Sequence, residues 1–176
     1  MKKLFLGMII LVCLGTGKAA GAWDSSFNLA AGAGTADSFT VDLQFRQDYA
    51  PWVSGQSYAL NPFTLEGLTY WRKDGGGGEE VAGLLASAGL ELSYFGDYFR
   101  PYVSVNAGPS LISEKTFLGR DLGGHFVFNT RAMIGLRFGQ GFRHNLGVHA
   151  THYSNAHLYD DNDGFNSLGL SYGFSF

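Results

Sequence analysis

The stretch HYSNAHLYDDNDGFN, from His152 to Asn166, gathers the residue types of acyl transfer. Serine is a weak nucleophile at its free pKa and needs a base in hydrogen-bond reach, usually a histidine, which a third group holds in place. His152 and Ser154 stand two apart, and Asn166 lies a short loop away. Asn155 or Asn162, with nearby backbone N–H groups, are candidate donors to the negative oxygen of a tetrahedral intermediate. Asp160, Asp161 and Asp163 add carboxylates within the same loop. The competing reading is a polar rim between two strands.

The elements that must position these groups are strands. Alternation with period two runs through most of the chain, the pattern of a strand with two unlike faces. It is clearest at the end, where Asn166, Leu168, Leu170, Tyr172, Phe174 and Phe176 form one face and Ser167, Gly169, Ser171, Gly173 and Ser175 the other. The same alternation marks seven earlier segments, around Phe27–Ala33, Phe39–Arg46, Phe63–Trp71, Ala82–Tyr94, Tyr102–Ala107, Phe126–Phe138 and Asn145–Thr151. Large apolar groups opposite small polar ones describe a wall between lipid and a narrow polar interior. The predicted fold is therefore all-β, an eight-stranded antiparallel transmembrane β-barrel of the bacterial outer membrane. Eight is an even number, and it leaves an interior that side chains can fill. The terminal aromatic Phe176 resembles the C-terminal signature of that class.

Composition narrows the function classes. Lys2, Lys3, the apolar run LFLGMIILVCLG and the small residues Ala19 to Ala22 predict a signal peptide over residues 1–22, leaving a barrel over 23–176. No other run approaches the roughly 18 apolar residues of a spanning helix. Cys13 lies within the signal, so the exported chain has neither disulfide nor thiol chemistry. Without Lys2, Lys3 and Lys18, 9 of the 12 basic residues remain against 15 acidic ones, a net charge of about −6. No basic patch points to nucleic acid. The glycine run Gly75 to Gly78 lacks the strand-loop-helix context of a phosphate cradle and reads as a loop. His125, His144 and His149 show no ligand spacing with a carboxylate, so no metal site is expected; His149 falls on the polar face. In the third segment Phe63, Leu65, Thr69 and Trp71 oppose Glu66, Leu68 and Tyr70. Asp42, Glu66 and Glu91 are then expected inside the barrel, neutralising Arg46, Arg131 and Arg137, because buried charges must pair.

Strand parity sharpens the first motif. Residues two apart on a strand project from one face, so His152 and Ser154 continue the apolar face of Leu146, Val148 and Ala150, and Asn166 opens the lipid face of the last strand. A lipid-facing serine and histidine are costly without a function. With both termini of the barrel in the periplasm, the loop between them faces outward, at the height of the outer leaflet. Lipid esters are the substrates that such a serine suits. The rival is a non-enzymatic small barrel with a structural or adhesive role.

At these residues the sequence resembles a known family. His-Tyr-Ser-Asn-Ala from His152, followed by Asn162-Asp163-Gly164, resembles the lipid A 3-O-deacylase (PagL) family, and Tyr70-Trp71 with the glycine loop after it is also similar. The resemblance implies an eight-stranded outer-membrane barrel with a serine hydrolase site facing the outer leaflet. It implies hydrolysis of the ester-linked 3-hydroxyacyl chain at position 3 of lipid A in lipopolysaccharide, with no metal or cofactor, and it allows a homodimer. By that likeness His152 is the base, Ser154 the nucleophile and Asn155 a residue needed for activity at the oxyanion hole. Two positions depart from the pattern. The family's acidic triad member, a glutamate, falls on Asn166, which can orient the histidine but offers no full charge to the imidazolium. Lower activity than a glutamate would give is expected, unless Asp160, Asp161 or Asp163 moves in. His157 stands where the family tends to have glycine.

Overall fold

The computed structural model describes residues 24–48, 51–73 and 78–176. The predicted signal peptide and Gly75 to Gly77 of the glycine run lie outside the described residues. Eight long strands form: β1 (Asp24–Gly34), β2 (Ser38–Asp48), β3 (Tyr58–Arg72), β4 (Glu80–Tyr94), β5 (Arg100–Ile112), β6 (Phe126–Phe138), β7 (His144–Ser154) and β8 (Phe165–Ser175). Each pairs antiparallel with its neighbour in sequence, and β8 returns to β1, with Phe27 opposite Phe174 and Leu29 opposite Tyr172. The sheet is thereby closed and leaves no long edge unpaired. The connections 35–37, 113–125 and 155–164 lie at one end of the barrel, together with Arg72 at the end of β3 and Glu80 at the start of β4, and the first and last strand termini lie at the other.

The outer face is apolar. Leu29, Val105, Ile134, Val148, Leu168 and Leu170 expose 43 to 63 % of their surface. So much exposed hydrocarbon around a whole wall is unlike a soluble monomer and matches a lipid-facing band.

The interior is divided into two zones. Beneath the 155–164 loop it holds an apolar plug of Trp71, Val81, Ile112, Phe117, Val127 and Phe165 with their neighbours. Trp71 stacks on Phe165 with ring centroids 4.2 Å apart and meets Tyr153 edge-on at 4.7 Å. Toward the other end the filling is ionic. Arg46 pairs with Glu91 and with Asp48 at 2.8 Å, and Arg137 reaches Glu91 at 2.5 Å and Asp48 at 3.5 Å. Midway, Arg131 pairs with Asp42 at 2.5 Å, and the buried His149 stands 3.8 Å from the same carboxylate. The two zones are joined: the Trp71 indole N–H donates to Thr69 Oγ1 at 2.7 Å, and Thr69 donates to Asp42 at 2.6 Å.

One expectation is overturned. Glu66 is not in the interior; it is exposed on the outer face of β3, while Phe63, Leu65, Thr69 and Trp71 turn inward. The rule of apolar out and polar in reverses on β3 because Trp71, Leu65 and Phe63 are themselves interior packing. With a period of two, burying Trp71 sends every even-numbered residue of the strand outward. Asp48 supplies the interior carboxylate expected of Glu66.

Candidate active site

The site forms where β7 ends and β8 begins. His152 lies directly opposite Asn166 in the β7–β8 register. Alternation sets the orientation on both strands: Tyr153 and Phe165 are buried at 1 % exposure each within the aromatic plug, so their neighbours His152, Ser154 and Asn166 turn outward. The polar groups are thus fixed from behind by apolar anchors, since rotating either strand would pull an aromatic ring out of its stack. The contact that results is direct. His152 Nδ1 lies 2.7 Å from Asn166 Oδ1. A carbonyl oxygen only accepts, so Nδ1 carries the proton and donates it, and Nε2 is left with the lone pair a general base needs.

Ser154 is half-buried, two residues along the same face, with Cα about 7 Å from that of His152 by strand rise. No hydrogen bond joins the two among the described residues. Histidine and asparagine are in contact, and the serine shares their face. Gly164 closes the site from the loop. Its φ is +66°, and a Cβ there would stand 3.1 Å from Cε1 of His152, so the backbone is close enough to the imidazole to favour the residue without a side chain.

The loop between the strands has its own skeleton. Asn155 is fully buried, and its Nδ2 donates to the carbonyls of Leu122 at 2.9 Å and Asp161 at 2.5 Å. Its backbone N–H donates to Asn162 Oδ1 at 2.9 Å. Both Asn155 amide hydrogens are therefore engaged in holding the loop, whereas the Nδ2 of Asn162 has no partner among the described residues. The chain turns through Ala156 at φ 53° and His157 at φ 63°, with Leu158 N–H returning to the Asn155 carbonyl at 3.0 Å. His157 thus holds the left-handed conformation that a glycine takes without penalty.

The three aspartates stay in the loop. The Asp163 carboxylate accepts from the Asp121 N–H at 2.7 Å, and Asp160 and Asp161 are exposed. Asn166 is the group in contact with the imidazole. The 113–125 loop, which the sequence alone did not connect to the site, supports it: Arg120 donates to the carbonyls of Asp163 at 3.0 Å and Gly164 at 3.4 Å. Nothing in the local spacing of Arg120, Asp121 or Leu122 signals this, because their partners lie 33 to 44 residues away in sequence.

Comparison with known proteins gives the geometry its context. The model of the family described as lipid A 3-O-deacylase (PagL) matches residues 25–175. The chain is 31% identical over 176 residues to the lipid A deacylase PagL of Pseudomonas aeruginosa, covering 98% of each chain. Among solved structures, the crystal structure of the outer membrane enzyme PagL superposes with a TM-score of 0.75 at 29% identity, over 85% of this chain and 98% of that one. Neisserial surface protein A matches with a TM-score of 0.51 at 9% identity over 88% of this chain and 96% of that one, a likeness of fold alone. A closed eight-stranded barrel with a histidine, a serine and a hydrogen-bonding asparagine on its outer face, matched along its length by one family, belongs to the lipid A 3-O-deacylase (PagL) family.

Proposed function

We propose that this chain is a lipid A 3-O-deacylase of the outer membrane, a serine esterase that hydrolyses the 3-hydroxyacyl ester at position 3 of lipid A in the outer leaflet. The observation that carries the reading is the 2.7 Å contact between His152 Nδ1 and Asn166 Oδ1 on the lipid-facing wall, with Ser154 on the same face. His152 Nε2 takes the proton of Ser154 as its oxygen attacks the ester carbonyl, and returns it to the departing sugar oxygen. A water activated by the same nitrogen then releases the fatty acid from Ser154.

Asn166 acts through His152 by fixing the tautomer and ring orientation. A carboxylate would also stabilise the imidazolium, through a charge-assisted hydrogen bond about twice as strong as a neutral one. Asn162 Nδ2 is the side-chain donor left to meet the oxyanion, and Asn155 serves by holding Asn162 and the loop. The orientation follows from an even-stranded barrel with both termini in the periplasm, which places the 155–164 loop outside. Residues 1–22 serve as the export signal in this reading, and a homodimer is compatible with it.

The test is mass spectrometry of lipid A from cells producing the wild type, Ser154→Ala and Asn166→Glu. Loss of one 3-hydroxyacyl chain with the wild type and not with Ser154→Ala is the expected result, with faster loss for Asn166→Glu. Unchanged lipid A in all three strains would instead make this a barrel without the activity.

A further inference from the structure

The polar groups of the Asn166 backbone reveal a second layer of positioning. In an antiparallel strand the N–H and C=O of one residue point to the same neighbour. In β8 the Ser175 N–H bonds to Arg143 on the β7 side, and the Phe176 N–H that follows bonds to Ser25 on the β1 side. Even-numbered residues of β8, Asn166 among them, therefore direct their backbone toward β1. On the β7 side Asn166 and His152 are then a non-hydrogen-bonded pair, the kind whose Cα atoms approach to about 4.5 Å and whose side chains lie closest. Register parity accounts for the close imidazole–amide contact.

The β1 side poses a difficulty. The ladder stops at Gly34 opposite Ser167, because the chain turns at Thr35–Asp37 with Ala36 and Asp37 at φ 59° and 57°. Among the described residues, no backbone group of β1 pairs with Asn166. The Thr35 hydroxyl takes its place: Oγ1 accepts from the Asn166 N–H at 2.9 Å and donates to the Asn166 carbonyl at 3.1 Å. The turn is itself held, with Ser38 Oγ donating to the Thr35 carbonyl at 2.8 Å and Lys73 Nζ to that of Ala36 at 3.1 Å.

We infer that Thr35 is a positioning residue for the deacylation reaction, its hydroxyl extending the β1–β8 ladder by one step to hold Asn166 against His152. The inference rests on the proposed role of Asn166. A neutral asparagine gains no charge attraction to the imidazolium, so its place depends on the backbone beneath it. An exposed strand end without those two bonds would fray.

The experiment compares purified, folded wild type, Thr35→Val and Thr35→Ser on lipid A in detergent micelles, each with and without Asn166→Ala. Heat-modifiable mobility in gels confirms that every barrel is closed. Thr35→Val keeps the shape and removes both hydrogen bonds; it is expected to lower kcat about tenfold with KM within about twofold. Thr35→Ser retains the wild-type rate. In the Asn166→Ala background Thr35→Val has almost no further effect, because the group it positions is gone. An unchanged kcat for Thr35→Val, or an equal loss in both backgrounds, overturns the role. Wild-type activity in Asn166→Ala alone overturns the reading of Asn166, and this inference with it.

Discussion

Two sets of polar groups sit on the same barrel wall, facing opposite ways, and they are held by opposite means. Inside, Arg46, Glu91, Arg137 and Asp48 hold one another through several ion pairs, and Asp42 pairs with Arg131. Outside, His152 and Asn166 share one side-chain hydrogen bond. The interior charges are satisfied by density, since a buried charge left unpaired costs several kcal/mol. The site is satisfied by placement: Tyr153 and Phe165, the alternate residues on the same two strands, are locked in the aromatic plug. A network that saturates its groups makes a wall, whereas the proposed mechanism needs the Ser154 hydroxyl and one nitrogen of His152 left unengaged.

The sharpest way to break the comparison is to delete one group from each side. Glu91→Ala leaves Arg46 and Arg137 short of their shared carboxylate and is expected to destabilise the barrel by about 3–5 kcal/mol, read as a lower urea midpoint for unfolding in detergent. Ser154→Ala should leave that midpoint in place while removing deacylation, a loss of at least about a thousandfold. Equal effects of the two on stability would erase the distinction.

Trp71→Ala tests the link between the regions. It empties the centre of the plug, and truncating a buried tryptophan costs about 3–5 kcal/mol. Because Phe165 stacks on Trp71 directly before Asn166, we expect kcat to fall as well, even in the fraction of molecules that remains folded. A variant that is less stable yet as active would show that the anchors do not position the site.

Glu66 sharpens the inside–outside contrast. It lies at mid-strand on the outer face, where an acidic group in lipid is unfavourable by less than the roughly 2–4 kcal/mol of a basic one. Glu66→Leu should therefore stabilise the barrel by about 1 kcal/mol with activity unchanged. Destabilisation would return the residue to the interior network. The smallest effect is expected at the loop: His157→Gly relieves a left-handed residue and should stabilise by about 1 kcal/mol or less, seen as a small rise in Tm.

Much of this is legible in the amino-acid sequence. The period of two is a local property, so alternation indicates eight strands and the shared face of His152, Ser154 and Asn166, and the even count with the terminal Phe176 adds the outer-membrane barrel. The interior pairing of Arg46, Arg131 and Arg137 with Asp42 and Glu91 was readable for the same reason. Alternation does not state which face is in, however. On seven strands the apolar face met lipid; on β3 the side chains of Phe63, Leu65 and Trp71 filled the lumen instead, and Glu66 went outward.

Sequence by itself therefore determined the strands, their number and the groups that share a face, because those follow from neighbours a few residues apart. Tertiary structure alone decided which zone of the interior is apolar, that Asn155 spends its amide on Leu122 and Asp161, and that Arg120 and Thr35 brace the loop and Asn166. Those contacts join residues from about 30 to 131 positions apart, or turn on which partner a shared donor finds first. Closing the barrel is what brings them within reach, since β1 meets β8 only when the sheet is complete.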